Sequence, residues 1–123
     1  MALVLCTGLD KTVLETRRLI LENAGHTVVT VTDETALVSV CEKQSFEVAV
    51  VGQMLSPNMK LHVVELIKEN CPNVKILELY SSHVGRMLDD ADSSLAVPAD
   101  APSDLAERVG ELARKYKRDD AKP

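Results

Sequence analysis

Short apolar segments alternate with longer, helix-patterned segments along this chain, and the alternation limits the fold more than any other feature of the sequence. The first segment, "ALVLCT" at 2–7, is apolar almost throughout and is followed by a glycine. A continuous apolar run of this kind is typical of a strand that is buried on both faces. Comparable runs, several of them rich in β-branched residues, predict four more strands, at 26–32, 46–52, 74–80 and 94–99.

Helical periodicity occupies the intervals between these strands. The predicted helices cover 11–24, the segment after Asp33, 59–70 and the segment opened by Pro102. The first of them carries apolar residues on a single stripe, namely Val13, Ile20, Leu21 and Ala24. Gly25 follows this stripe as a stop signal.

The strand–helix order, repeated about five times, implies a particular architecture. We predict an α/β fold with three layers, in which a doubly wound, five-stranded parallel sheet carries helices on both faces. In such (βα)5 folds, ligands and chemistry gather outside the carboxyl ends of the strands. We therefore expect functional residues in the segments that follow the strands, at 7–11, 52–57, 80–83 and 97–100.

Length and charge exclude several classes of function. The 123 residues correspond to one domain, which we assign to 1–116, with a polar tail at 117–123. The 19 acidic residues outnumber the 14 basic ones, which gives a net charge of −5 and no basic surface for nucleic acid or anionic membrane. We expect a cytoplasmic protein, because no apolar run is long enough for a signal peptide or a membrane span.

Three widely spaced cysteines, Cys6, Cys41 and Cys71, form no C-x-x-C pair. This spacing indicates neither a disulfide framework nor a metal site. We therefore expect reduced, mostly buried thiols and no bound metal or cofactor.

Four segments, read with their spacing, resemble one family. "LILENAGHTVVTVTDETAL" at 19–37 is similar to the family's first helix end, Ala-Gly turn and second strand. "FEVAVVGQMLSP" at 46–57 is similar to its third strand and methionine-proline turn. "CPNVKILELYS" at 71–81 and "DADSSLAVPAD" at 90–100 are similar to its fourth and fifth strands. The family is the receiver domain of two-component response regulators, and the resemblance extends from about residue 3 to about residue 114.

The resemblance implies phosphoryl chemistry, but the residues that would perform it are replaced. In the family, two acids after the first strand hold Mg²⁺, and an aspartate that ends the third strand is the nucleophile. A hydroxyl after the fourth strand and a lysine after the fifth contact the phosphoryl oxygens. The equivalent positions in this chain are Gly8 and Leu9, Gly52, Tyr80 with Ser81 beside it, and Val97, which is followed by Pro98. Asp10 is the one carboxylate nearby, and we expect it to cap the first helix rather than bind metal.

The segment between the fourth and fifth strands is also shorter than in the family. "SHVGRMLDD" at 82–90 has room for a shortened fourth helix of about two turns. The sequence thus predicts a degenerate receiver that is not phosphorylated and not an enzyme, and that acts by protein–protein contact. Its partner would be a histidine kinase, an output protein or a second copy of the chain.

Two alternatives belong to other functional classes. One is a sensor of a small ligand or anion, using Thr7, Asp10, Ser81, Ser82 and His83 at the carboxyl edge of the sheet. The other is an enzyme with Cys6 as nucleophile, although the strand pattern favours a buried structural cysteine.

Overall fold

The computed structural model describes residues 2–99, 101 and 103–120. These residues form five strands and four helices. The strands are β1 (Leu3–Thr7), β2 (Thr27–Val31), β3 (Val48–Val51), β4 (Lys75–Ser81) and β5 (Ser93–Val97). The helices are α1 (Lys11–Asn23), α2 (Glu34–Lys43), α3 (Pro57–Asn70) and α4 (Ser103–Asp120). Pro102, which was predicted to open the last helix, lies outside the described residues, as do Asp100 and the end of the tail.

The strands form one parallel sheet in the order β2-β1-β3-β4-β5, which confirms the predicted architecture. The order reverses direction between β1 and β3, and this is where ligand sites occur in doubly wound sheets. In register, Thr7 of β1 pairs with Val51 of β3, so that Gly8 and Gly52 leave the sheet side by side.

Two separate apolar clusters cover the faces of the sheet. Val4 and Cys6 of β1 belong to the cluster built with α1 and α4, whereas Leu5 belongs to the cluster built with α2 and α3. This alternation along one strand is the two-residue period of a β-strand. The four residues of β3 are all fully buried. The strand is apolar because neither of its faces meets water.

The predicted short fourth helix is wrong. Residues 82–84 form a turn, and the described chain from 85 to 92 contains no helix. The buried carboxylate of Glu78 accepts hydrogen bonds from the backbone N–H groups of Met87 (2.7 Å) and Leu88 (3.3 Å). Leu88 is buried in the apolar cluster beneath α2 and α3. These tertiary contacts hold residues 85–92 in a non-helical conformation.

The expectation of three reduced thiols is also wrong. Cys41 on α2 and Cys71 at the end of α3 form a disulfide with a Cα–Cα distance of 5.4 Å, which lies in the usual range for such bonds. The two residues are 30 positions apart in the sequence. The disulfide therefore links the two helices that cover one face of the sheet.

α4 continues to Asp120, so the first four residues of the segment that we assign as a polar tail are helical. Among the described residues, no helix is both long and apolar enough to span a membrane. The single-domain assignment of 1–116 stays a prediction.

A buried ion pair joins α3 to β4. The Lys60 ammonium donates to Glu78 Oε2 at 3.0 Å and to the Leu79 carbonyl oxygen at 2.8 Å. Both charged side chains are completely buried. Since Glu78 also accepts the N–H groups of the 85–92 segment, the pair fixes the helix, the strand and the connection to β5 together.

We predict that Lys60→Met lowers the free energy of unfolding by about 3–5 kcal/mol, because it leaves the buried Glu78 carboxylate without a counter-ion. The matched control is Lys68→Met on the same helix, whose pair with Asp90 is exposed and should contribute less than about 1 kcal/mol. Urea denaturation of the two variants measures both values. Equal losses would contradict a structural role for the buried pair.

Candidate functional site

The carboxyl ends of β1 and β3 come so close together that position 52 has little room for a side chain. The Gly52 N–H donates to the Thr7 carbonyl oxygen at 3.2 Å. A Cβ atom added at Gly52 would lie 3.0 Å from that same oxygen and 3.4 Å from Nη1 of Arg17. The backbone of β1 and an arginine therefore occupy the space beside the position where the resemblance would place a phospho-accepting aspartate.

Arg17 also lies at this site, although the sequence analysis did not predict it. It projects from α1, is 8% exposed, and donates from Nη2 to Gln53 Oε1 at 2.5 Å. Burial lowers the pKa of its guanidinium below the ordinary value. The helical period could have revealed it, because Arg17 lies four positions after Val13 and three before Ile20, on the apolar stripe.

Cys6 is completely buried in β1. Burial raises the pKa of its thiol to about 12, and the positive charge of Arg17 opposes that shift only in part. A thiol with this pKa is almost entirely protonated near neutral pH, whereas nucleophilic cysteines react as thiolates. The predicted structural role of Cys6 fits this environment better than the enzymatic alternative.

The positions that would hold Mg²⁺ carry no suitable ligand. Gly8 has no side chain, and Leu9 is 58% exposed. The Asp10 carboxylate accepts the N–H groups of Thr12 (2.8 Å) and Val13 (3.2 Å), as the predicted cap of α1. No group of three acidic, histidine or cysteine side chains that could bind a metal occurs in the described part of the chain.

The remaining positions that the resemblance implies for a phosphorylation pocket lie on β4, on β5 and directly after β5. Tyr80 and Ser81 pair in register with Ala96 and Val97. Pro98 follows Val97 through a cis peptide bond. Tyr80 is half-buried, and Ser81, Val97 and Pro98 border a cavity. None of these four residue types carries a positive charge that could meet a phosphoryl group.

The five residues proposed as a ligand edge do not form one pocket. Thr7 is buried, and its hydroxyl donates to the Val50 carbonyl oxygen at 3.1 Å. Asp10 is engaged in capping α1, whereas Ser82 and His83 are exposed in the turn after β4. Of these five residues, Ser81 is the one that lines a larger cavity, which lies beside α1.

That cavity has a volume of about 700 Å³ and lies between α1 and the ends of β4, β5 and α4. Its walls are mainly apolar and include Val13, Ile20, Leu79, Leu95, Val97 and Leu105. Arg17, Gln53 and Ser81 contribute polar groups to it. No acidic side chain is among its described lining residues.

No model of a protein family matches the sequence, and no curated protein matches it. Solved structures do match. A CheY-like receiver domain from Methanospirillum hungatei JF-1 superposes with a TM-score of 0.79 at 21% identity, covering 97% of this chain and 98% of that one. The receiver domain of the Francisella response regulator 1452 gives a TM-score of 0.73 at 17% identity, covering 94% and 98%.

A third match is the signal receiver domain of a modulated diguanylate cyclase from Desulfovibrio desulfuricans G20. Its TM-score is 0.75 at 21% identity, with 97% of this chain and 98% of that one covered. The similarity extends over almost the whole chain in each comparison. The chain therefore has the fold of response-regulator receiver domains.

Proposed function

We propose that this chain is a degenerate receiver, a signalling module of two-component type that accepts no phosphoryl group and acts through protein–protein contacts. The observation that carries the proposal is the environment of Gly52. A glycine stands at the nucleophile position, and the Arg17 guanidinium lies 3.4 Å from where its Cβ would be. An acyl phosphate needs a carboxylate at this position, and glycine offers none.

The electrostatics of the site support the same conclusion. Mg²⁺ requires several oxygen ligands, and carboxylates supply most of them in proteins. Here the buried charge near the switch point is the cation of Arg17, and the Asp10 carboxylate is engaged by two backbone N–H groups. A cation at this place repels a divalent metal instead of attracting it.

An exposed apolar rim around the same edge supports a role in protein contact. Leu9 is 58% exposed, Met54 63% and Met59 39%. Leu9 borders one shallow cleft together with Met54 and a second one together with Met59. Methionine is enriched in the cores of protein interfaces, and exposed apolar groups that lie close together often mark them. We infer that a histidine kinase, an output protein or a second copy of the chain binds here.

Incubation with acetyl phosphate and Mg²⁺, followed by intact-protein mass spectrometry, tests the proposal. We expect no added phosphoryl group, because position 52 has no nucleophile. We expect the same result for Gly52→Asp, since the new carboxylate would meet Arg17 and would still lack acids that hold the metal. The positive control is a receiver domain with an intact acid pocket, which should gain a phosphoryl group under the same conditions.

A stoichiometric adduct on the wild-type chain would overturn the proposal, and peptide mapping would then locate the acceptor. An adduct on Gly52→Asp alone would show that the remaining pocket is competent and that the loss of one carboxylate is the whole defect.

A sensor of a small ligand or anion is the second proposal, but the structure does not bring its five residues into one pocket. The Cys6 enzyme has less support still, because the thiol is fully buried and its pKa is raised to about 12. An enzyme of this type would need an accessible thiolate.

Counting thiols with a colorimetric reagent tests the state of Cys6. Of the three cysteines, all of which are described, Cys6 alone is free. We expect no rapid reaction in the native protein near neutral pH, one reactive thiol after unfolding in urea, and three after unfolding with a reductant. Cys6→Ala should remove the single thiol seen in urea. Rapid reaction of the native wild-type protein would instead support the nucleophile.

A cytoplasmic location is part of the proposal, although disulfides such as Cys41–Cys71 persist mainly in oxidising compartments. Alkylation of the thiols during cell lysis distinguishes a reducing compartment from an oxidising one. A fully alkylated chain would support a reducing compartment, and a chain with Cys41 and Cys71 protected would support an oxidising one.

A further inference from the structure

The cavity beside α1 has the size and composition of a small-molecule site. Its volume of about 700 Å³ lies within the range of roughly 300–1,000 Å³ that is usual for such sites. Like those sites, it combines apolar walls with a few polar groups, of which Arg17 and Gln53 are hydrogen-bonded to each other. Its position at the carboxyl ends of the strands is also where doubly wound folds bind ligands.

The polar groups in this cavity are hydrogen-bond donors with unused capacity. A guanidinium has five N–H groups, and Arg17 uses one group, Nη2, toward Gln53 Oε1. Because that oxygen accepts from Arg17, the amide N–H groups of Gln53 are left for another acceptor. The Ser81 oxygen accepts the His83 N–H at 3.3 Å, which leaves its own hydroxyl hydrogen free to donate.

Arg17 is nine-tenths buried, yet no described carboxylate forms an ion pair with it. Its neighbour Arg18 differs in this respect, since it is ion-paired with both Glu15 and Glu22. The Arg17 guanidinium borders the cavity, so an anion bound there would supply the counter-ion that the described residues do not provide. Lys60, the other buried cation in the described part of the chain, forms its ion pair with Glu78.

We propose that the cavity binds a small monocarboxylate with an apolar body, whose carboxylate meets Arg17 and whose body lies along the walls formed by α1, β4, β5 and α4. The planar fork of a guanidinium matches a carboxylate through two parallel hydrogen bonds. One buried cation balances a single negative charge, and the chain's net charge of −5 disfavours anions of higher charge. The apolar walls favour an amphipathic molecule over an inorganic ion.

This site goes beyond the proposed function and is tested separately from it, since binding is measured without any phosphoryl donor. The probe is octanoate, titrated into the ¹⁵N-labelled full chain and followed by amide chemical shifts. The comparison ligands are 1-octanol, which has the same apolar body without the charge, and inorganic phosphate, which has charge without the apolar body.

We expect saturable octanoate binding with a Kd at or below about 1 mM, with shifts centred on Arg17, Gln53 and Ser81. Octanol and phosphate should each bind at least about tenfold more weakly. Arg17→Gln should weaken octanoate binding by about tenfold or more, because charge-assisted hydrogen bonds are lost. Arg18→Gln, one position further along the same helix, should leave binding unchanged.

A second variant keeps the proposal testable if Arg17→Gln does not fold. Thr16 is exposed on α1 and lines the mouth of the cavity, so Thr16→Trp should fill the entrance while Arg17 stays in place. This variant should also lose binding. The proposal is overturned if octanoate does not bind up to about 10 mM. It is equally overturned if octanol or phosphate binds as tightly as octanoate, or if binding survives Arg17→Gln or Thr16→Trp.

Discussion

The burial of β3 on both faces is the constraint on which the rest of this structure depends. Its four residues are fully buried, so helices must cover the sheet on each side, and any polar group placed inside must find a partner there. The Thr7 hydroxyl finds the Val50 carbonyl oxygen, and Lys60 finds Glu78. Arg17 finds a neutral amide and no described carboxylate. Among the described residues, the buried cation without a carboxylate partner thus lies beside the switch point of the sheet.

The chain has the architecture of receiver domains, and we propose that it does not carry out their phosphoryl chemistry because position 52 is a glycine. Fold alone does not determine function, because function resides in particular side chains at a site. Here the close approach of the Thr7 carbonyl oxygen and Arg17 fits a glycine, whose missing side chain leaves room for both. The exposed apolar side chains of Leu9 and Met54 then give the same edge a surface suited to binding another protein.

Local sequence signals predicted the strands and the cap at Asp10, because apolar runs and capping residues act within a few positions of the chain. They failed where distant residues decide the structure. The predicted fourth helix is absent because Glu78, nine and ten positions earlier, captures the N–H groups of Met87 and Leu88. The disulfide of Cys41 and Cys71 depends on the packing of α2 against α3, which cysteine spacing does not reveal. The assignment of Gly8, Leu9, Gly52 and Val97 to a degenerate pocket stays a prediction. The helical period places Arg17 on the apolar stripe of α1, but only the tertiary structure shows that its guanidinium lies beside Gly52.

We propose that this receiver fold has no metal-dependent phosphoryl switch. The most direct test is to record amide chemical shifts of the ¹⁵N-labelled chain before and after adding Mg²⁺ together with beryllofluoride, which mimics a phosphoryl group on aspartate. We expect no shifts beyond those caused by ionic strength, either at Gly8 and Gly52 or on β4 and β5. Saturable shifts that start at the β1–β3 edge and spread to β5 would contradict it.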